Sequence, residues 1–359
     1  MAVSDGNPLI DQRLLLTGKA VVAFPDRGIV TVTGPDRLGW LDSLLSQKLD
    51  RLAPGRSTEA LLLDPHGHVE QAMRILDDGQ TTWLLVDEER APALATWLDR
   101  MRFMKQVEVA DVTAEFAAVG FFGDSTASDV TDSVVPDALA AVVAAPNDLP
   151  LVWNDPWNAV TEGGWQYAPA RPHGTWNYSE AVVPVTELAA LTASPDVVLA
   201  RPEAWEALRI AAWRPRLATE GDEHLLPHEL DWLRSAVHLS KGCYRGQETV
   251  AKVHNLGHPP RRLTFLDLDG VEVQLPGHGA VVIADGTEVG HVTAAANHYE
   301  DGPIALAVLK RNVATDALLE VVSGEIRIPA HQVVIVPPEA GKEANVPRMP
   351  RLGAVKRSS

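Results

Sequence analysis

Cysteine is scarce in this sequence: the 359 residues contain one, Cys243. A single cysteine cannot form an internal disulfide, which excludes a domain stabilised by its own disulfides. The first residues, MAVSDGNPLIDQRLLL, also lack the basic segment and the sustained apolar run of a secretory signal. We therefore expect a protein of a reducing, cytoplasmic compartment.

Long apolar runs and excess positive charge are also missing. A run such as LAAVVAA, residues 139–145, is far shorter than the roughly twenty residues that span a bilayer, so we expect no membrane association. The 31 lysines and arginines are outnumbered by 48 acidic residues, for a net charge of -17. Phosphate backbones repel such a chain, which disfavours nucleic acid as a direct ligand.

The sequence does contain ample material for folded cores, with 46% hydrophobic residues, and its length favours two or three domains. Residues 28–49 predict a strand, a Gly-Pro-Asp turn and a helix, and residues 61–69 predict a turn between two strands. Leu94, Trp97, Leu98 and Met101 have helical spacing. This mixture of elements predicts an α+β fold.

The pattern changes after Arg261. Short strands alternate with turn dipeptides up to Val336, for example at Asp285-Gly286 and Ser323-Gly324. Such spacing predicts a small β-barrel that forms its own domain. The remaining residues, 339–359, combine Pro, Gly and basic residues with little apolar content, and we expect them to be a disordered tail.

The stretch HLSKGCYRGQETVAKVHN, residues 238–255, places the single thiol before a predicted helix. Unpaired N–H groups at a helix start, together with Lys241 or Arg245, would lower the pKa of the Cys243 thiol. Gly242 and Gly246 would allow a tight backbone and leave the sulfur accessible. A buried, inert cysteine in a glycine-rich turn is the alternative that spacing alone leaves open.

The octapeptide KGCYRGQE, residues 241–248, resembles the KGCYxGQE signature of the YgfZ family, folate-binding relatives of the glycine cleavage T-protein (aminomethyltransferase). The resemblance covers most of residues 20–336, including LRIAAWRPRLATEGDEHLLPHELDW before the signature and DGTEVGHVT after it. It implies a three-domain ring around a central folate channel. The domains would be residues 1–58 with 150–255, residues 59–149, and a C-terminal barrel over residues 258–338.

The resemblance also implies roles for individual residues. Glu229, in a Pro-x-Glu element, is the candidate anchor of the pterin ring, because a carboxylate can accept two N–H bonds from its edge; a solvated surface glutamate is the alternative. The T-protein aspartate that positions the reacting nitrogen falls on Gln71 or Ala72. Neither is a carboxylate, and strand alternation would turn Glu70 away. This departure argues against aminomethyl transfer.

Cys243 and Lys241 match positions that the family treats as functional and are the candidate working residues. The thiolate could act as a nucleophile, a redox-sensitive group or a transient ligand of iron. The candidate folate contacts besides Glu229 are Gly242, Tyr244, Arg245, Gly246 and Gln247. For Tyr244 and Gln247 a structural role is the stronger interpretation.

Histidines invite a metal interpretation, because His224 and His228 are four residues apart, as are His254 and His258. Pro227 and Gly257 interrupt these pairs, so we expect no dedicated metal site. The implied function is a tetrahydrofolate-binding protein that assists assembly or repair of iron-sulfur proteins, its partners, with an indirect effect on tRNA modification. The alternatives are a folate-dependent one-carbon transferase and a docking scaffold without chemistry.

Overall fold

The computed structural model describes residues 7–24, 27–123, 135–169, 176–195, 197–269 and 274–344. The helices are α1 (Pro8–Leu16), α2 (Arg37–Leu44), α3 (Ala91–Met101), α4 (Asp137–Ala140), α5 (Val185–Ala193), α6 (Pro202–Ala211), α7 (Leu217–Glu220) and α8 (Gln247–Leu256). The strands are β1 (Ala20–Phe24), β2 (Arg27–Thr33), β3 (Ser57–Leu63), β4 (Val69–Asp77), β5 (Thr81–Asp87), β6 (Glu108–Asp111), β7 (Phe116–Phe122), β8 (Val152–Asn154), β9 (Tyr178–Pro184), β10 (Val198–Leu199), β11 (Arg261–Leu268), β12 (Val281–Ala284), β13 (Thr287–His298), β14 (Gly302–Lys310), β15 (Leu319–Ser323) and β16 (Ile326–Val334).

The described strands form two five-stranded sheets and a barrel. The first sheet has the order β10-β1-β7-β9-β8, and the second has the order β3-β4-β5-β2-β6. The barrel closes in the order β11-β14-β13-β12-β15-β16. The predictions of an α+β fold and of a C-terminal β-barrel are therefore confirmed. No helix in these parts of the chain has both the length and the apolar character to cross a membrane.

The local patterns explain the second sheet and its helices. In α3 the predicted stripe buries Leu94 and Leu98 and half-buries Trp97 and Met101 against the sheet. Pro92 stands in the first turn of the helix, where its missing N–H leaves no hydrogen bond unmade. Alternation thus places apolar side chains on the sheet, and the helix covers them.

The predicted domain boundaries need correction. A boundary between residues 58 and 59 would separate β2 from β5, yet these strands pair antiparallel over their full length. A second domain that ended at residue 149 would include β7, which pairs with β1 and β9 in the first sheet. The second sheet therefore spans residues 27–111. Strand pairing over such sequence distances leaves no local pattern in the chain, which is why the sequence misplaced the boundary.

The tail prediction is wrong for its first residues. Ala340 is buried at 2% exposure in the central core, and the N–H of Glu343 donates to the carbonyl oxygen of His254 in α8. The segment therefore continues past the barrel as a strap against α8. The rest of the predicted tail, residues 345–359, lies outside the described residues.

One hydrophobic cluster, called the central core here, joins the first sheet, α6 and one side of the barrel. It contains Trp153 from β8, Trp205 from α6 and Phe265 from β11. The sheets and the barrel are therefore held against a shared interior, and the loops and helices between them define the cavities described below.

Candidate functional site

The signature octapeptide docks on the turn between β3 and β4. Gly246, directly before α8, has a φ of 82°. A Cβ atom at this position would lie 2.6 Å from the carbonyl oxygen of Asp64 in that turn. Only glycine combines this backbone conformation with so close an approach. Gly242, by contrast, has open space around its Cα, and no positive φ is recorded for it.

Lys241 is buried and binds the end of α2. Its Nζ atom donates to the carbonyl oxygens of Asp42, Leu45 and Gln47, the last two at 2.8 Å, and lies 3.3 Å from Asp42 Oδ1. Burial lowers the pKa of the ammonium group, and the Asp42 carboxylate opposes that shift. A cation at a helix C-terminus satisfies carbonyls that the helix itself leaves unpaired.

Cys243 is exposed and lies four residues before α8 begins. The alternative of a buried, inert thiol therefore fails. Within the described residues, no hydrogen bond or ion pair reaches its Sγ atom. Lys241 turns to α2 instead, and Arg245 pairs with Glu70 at 2.7 Å. The thiol is reachable from solvent, and the two cations expected beside it are directed elsewhere.

The other signature residues hold the segment in place. Tyr244 is buried in the central core, its ring 5.4 Å from Lys241 Nζ. The Arg245 guanidinium lies 5.8 Å from the ring of Trp97 in α3. Gln247 Nε2 donates to the carbonyl oxygen of Lys241 at 3.4 Å. These contacts attach the signature to α2, α3 and the β3–β4 turn.

Glu229 lies in a short 3-10 turn, Pro227–Leu230, and is fully buried. Its carboxylate accepts from Arg261 at 2.7 and 3.2 Å and from the N–H of Leu226 at 3.4 Å. Burial raises the pKa of Glu229, and Arg261 opposes the shift. Glu229 is thus no solvated surface glutamate, and its oxygens are already paired within the protein.

A large cavity, called the outer cavity here, opens where α1, β1, α6 and the barrel meet. Its volume is about 640 Å³, which lies in the range of small-molecule sites. Phe24 and Trp205 form an edge-to-face pair in its wall, with 4.9 Å between ring centroids. The remaining lining residues are Pro8, Pro202, Glu203, Glu206, Arg216, Leu275, Ala295, Ala296 and Asn297.

A second, much smaller hollow, called the inner cleft, has a volume of about 20 Å³. Arg216 lines both the outer cavity and the inner cleft, so the two hollows are neighbours. The other lining residues of the inner cleft are Glu59, Ala72, Met73, Arg74, Asp87, Arg214, Pro215, Leu217 and Trp232. The two hollows therefore share one wall residue.

Ala72 reaches the inner cleft because β4 carries a bulge. Leu62 pairs with Gln71 and Leu63 pairs with Val69, so Glu70 is the extra residue. Val69 and Ala72 both contact the central core, while the Glu70 carboxylate goes to Arg245. A bulge of this kind redirects side chains locally. Of the two positions matched to the T-protein aspartate, it is Ala72 that lines the cleft.

The charged side chains around the inner cleft form ion pairs. Arg214 Nη2 donates to Glu59 Oε1 at 2.7 Å, and Arg214 Nε donates to Asp155 Oδ2 at 2.9 Å. Arg74 Nε lies 3.2 Å from Glu180 Oε1, and Arg216 Nη2 lies 3.1 Å from Asp87 Oδ1. Burying these charges is tolerated because each has an opposite partner.

The predicted site residues and the two hollows therefore lie in different places. None of the predicted folate contacts, from Glu229 to Gln247, lines the outer cavity or the inner cleft. The sequence reasoning missed Trp205, Arg214 and Arg216. The signal was the segment WRPR that follows α6, in which two arginines flank a proline directly after an amphipathic helix. Among the described residues, no group of three His, Cys, Asp or Glu side chains is placed to hold a metal ion.

The architecture is that of the glycine cleavage T-protein. The crystal structure of the glycine cleavage system aminomethyltransferase T from Bartonella henselae aligns with a TM-score of 0.69 at 16% identity. The alignment covers 94% of this chain and 91% of that chain. Residues 261–337 match the family model of the glycine cleavage T-protein C-terminal barrel domain.

Sequence comparison finds two groups of similar proteins. The tRNA-modifying protein YgfZ of Photorhabdus laumondii is 25% identical over 279 residues, which cover 75% of this chain and 76% of that protein. The aminomethyltransferase of Geobacillus kaustophilus is 27% identical over 299 residues, which cover 80% of this chain and 78% of that protein. The chain is similar both to proteins named YgfZ and to aminomethyltransferases, as its signature predicted.

Proposed function

We propose that this protein binds a reduced folate in the outer cavity, with the pterin ring directed at the inner cleft, and that it assists iron-sulfur proteins through Cys243. One observation carries the folate part. A cavity of about 640 Å³ with aromatic walls shares Arg216 with a small polar cleft that Ala72 lines, and Ala72 is one of the two positions matched to the T-protein aspartate that places the reacting nitrogen of its folate. Flat, largely apolar rings suit such walls.

Aminomethyl transfer is not the activity that we propose. Neither of the two positions matched to the T-protein aspartate, Gln71 and Ala72, provides a carboxylate to position the reacting group. The carboxylates that line the inner cleft, Glu59 and Asp87, are already paired with Arg214 and Arg216. The folate therefore serves this protein in another capacity.

The iron-sulfur role rests on the family resemblance and on the exposure of Cys243. A thiol that solvent reaches and no neighbouring side chain engages is open to a partner protein, to an oxidant or to iron. Several relatives are named tRNA-modifying proteins. Given the net charge of -17, we propose that any effect on tRNA acts through an iron-sulfur modifying enzyme and without direct RNA binding.

Calorimetric titration with tetrahydrofolate tests the folate proposal. The variant Ala295→Phe fills the outer cavity, because Ala295 lines it. The control variant Ala93→Phe adds the same ring to an exposed position on α3. Wild type and the control should bind tetrahydrofolate, and Ala295→Phe should lose binding while it keeps its thermal unfolding transition. Equal binding by all three proteins would reject the outer cavity as the site.

A further inference from the structure

Two arginines that line the inner cleft, Arg74 and Arg214, each have a buried nitrogen without a hydrogen-bond partner, and of the two Arg74 Nε still faces a carboxylate, 3.2 Å from Glu180 Oε1. Arg214 is buried, with its side chain 5% exposed. Its Nε and Nη2 atoms bond to Asp155 and Glu59, whereas its Nη1 atom is buried with no hydrogen-bond partner. A buried guanidinium N–H without an acceptor is costly. An acceptor atom supplied by a ligand would remove that cost.

The carboxylates that line the cleft are already engaged with other donors. Glu59 already accepts from Arg214, from Trp232 Nε1 at 3.2 Å and from Ser235 Oγ at 2.7 Å. Asp87 is paired with Arg216 at 3.1 Å. Another lining residue, Ala72, carries only a methyl group. The chain therefore leaves the acceptor position open.

The size of the cleft limits what can fill that position. About 20 Å³ accommodates one oxygen atom of the size of a water molecule. It is too small for the two oxygens of a carboxylate or for a phosphate. The buried, unpartnered Arg214 Nη1 requires an acceptor atom, which a methyl group and an N–H do not provide. A single carbonyl oxygen meets both limits.

We infer that the inner cleft selects a reduced folate whose one-carbon group carries a carbonyl oxygen, that is, a formyl group, and that Arg214 Nη1 donates to this oxygen. The inference rests on the proposed function, because the outer cavity must hold the folate rings for the substituent to reach the cleft. Arg214 is then a specificity-determining residue. It distinguishes the formyl oxygen from a bare N–H and from a methyl group.

The test compares three probes by calorimetry: 5-formyltetrahydrofolate, 5-methyltetrahydrofolate and unsubstituted tetrahydrofolate. Wild type should bind the formyl compound about tenfold more tightly than the other two, as expected for one hydrogen bond from a charged donor. Arg214→Lys keeps a cation beside Asp155 and Glu59 but removes Nη1. It should bind all three compounds with similar affinity.

A second variant keeps the inference falsifiable if Arg214→Lys unfolds. Ala72→Val adds two methyl groups to a lining residue of the cleft and fills the space of the formyl oxygen. It should lose the tenfold preference, whereas Ala93→Val, an exposed change on α3, should retain it. Equal affinity of wild type for the three folates overturns the inference and leaves the proposed function standing. If wild type binds none of the three folates, both the inference and the proposed function are overturned.

Discussion

Lys241 Nζ lies 2.8 Å from the carbonyl oxygen of Leu45 at the end of α2. The lysine of the signature thus binds a helix terminus, and 0% of its side chain is exposed. This contact gives the octapeptide a structural role. It connects the β3–β4 turn, α2 and α8, and it presents Cys243 on the outside.

A stability measurement on Lys241 tests that interpretation. Lys241→Met removes the donor shared by three carbonyl oxygens, and we expect the free energy of unfolding to fall by about 1–3 kcal/mol. Lys252→Met is the matched control, because Lys252 is exposed on α8. Denaturant unfolding of the two variants should differ clearly. Identical midpoints would show that Lys241 does not hold the segment.

For Cys243 we expect a substitution to change function and to leave stability unchanged. Because the residue is exposed, Cys243→Ala should leave the thermal unfolding temperature unchanged and should impair iron-sulfur enzyme activity in cells that lack the native protein. Cys243→Ser, which preserves the size of the side chain, should be equally impaired. Full rescue by either variant would reject the thiol as the working group and favour a docking scaffold.

His228 predicts a pH dependence of stability. Burial lowers its pKa from 6.5 to about 3, and the hydrogen bond to the Val250 carbonyl opposes the shift. Between these values the unfolded chain binds a proton that the folded chain does not. The free energy of unfolding therefore rises as the pH increases from about 3 to 6.5. Acidification through the same range lowers the free energy of unfolding by up to about 5 kcal/mol.

The variant His228→Gln removes the imidazole that binds this proton in the unfolded chain. Its free energy of unfolding, measured from pH 4 to pH 7, should vary less steeply than that of wild type. His224→Gln is the control, because His224 is exposed and the change should preserve the wild-type slope. A slope of His228→Gln that equals the wild-type slope would contradict the assignment of the pH dependence to His228.

Glu229 as pterin anchor is a prediction that competes with the proposed site, because Glu229 lines neither the outer cavity nor the inner cleft. Its carboxylate would have to exchange Arg261 for the ligand. As an anchor, Glu229→Ala should weaken tetrahydrofolate binding by about 1 kcal/mol or more. Asp222→Ala removes the other carboxylate on Arg261 and serves as the control. Unchanged affinity with a lowered unfolding temperature would assign Glu229 a structural role only.

Local patterns predicted the parts of the fold that local physics determines. The barrel was visible because turn dipeptides such as Asp285-Gly286 recur between short strands, and α3 was visible from its 3.6-residue stripe. The boundary near residue 58 was misplaced because the pairing of β2 with β5 joins strands about fifty residues apart, and no local signal encodes such pairing.

The candidate site was predictable only in part. The octapeptide predicted the likeness to the T-protein. It left the exposure of Cys243 open and suggested that Lys241 and Arg245, its neighbours in sequence, act on the thiol. Lys241 and Arg245 stand beside Cys243 in the chain and direct their charges to α2 and Glu70. The inner cleft joins Ala72 of β4 to Arg214 after α6, a combination that only the tertiary structure brings together.

The most direct measurement of the central claim is a crystal structure of the protein soaked with tetrahydrofolate. The account predicts density for the folate in the outer cavity, beside Trp205, with the pterin ring directed at Ala72. Density for the folate at another place, with the outer cavity free of it, would contradict the account.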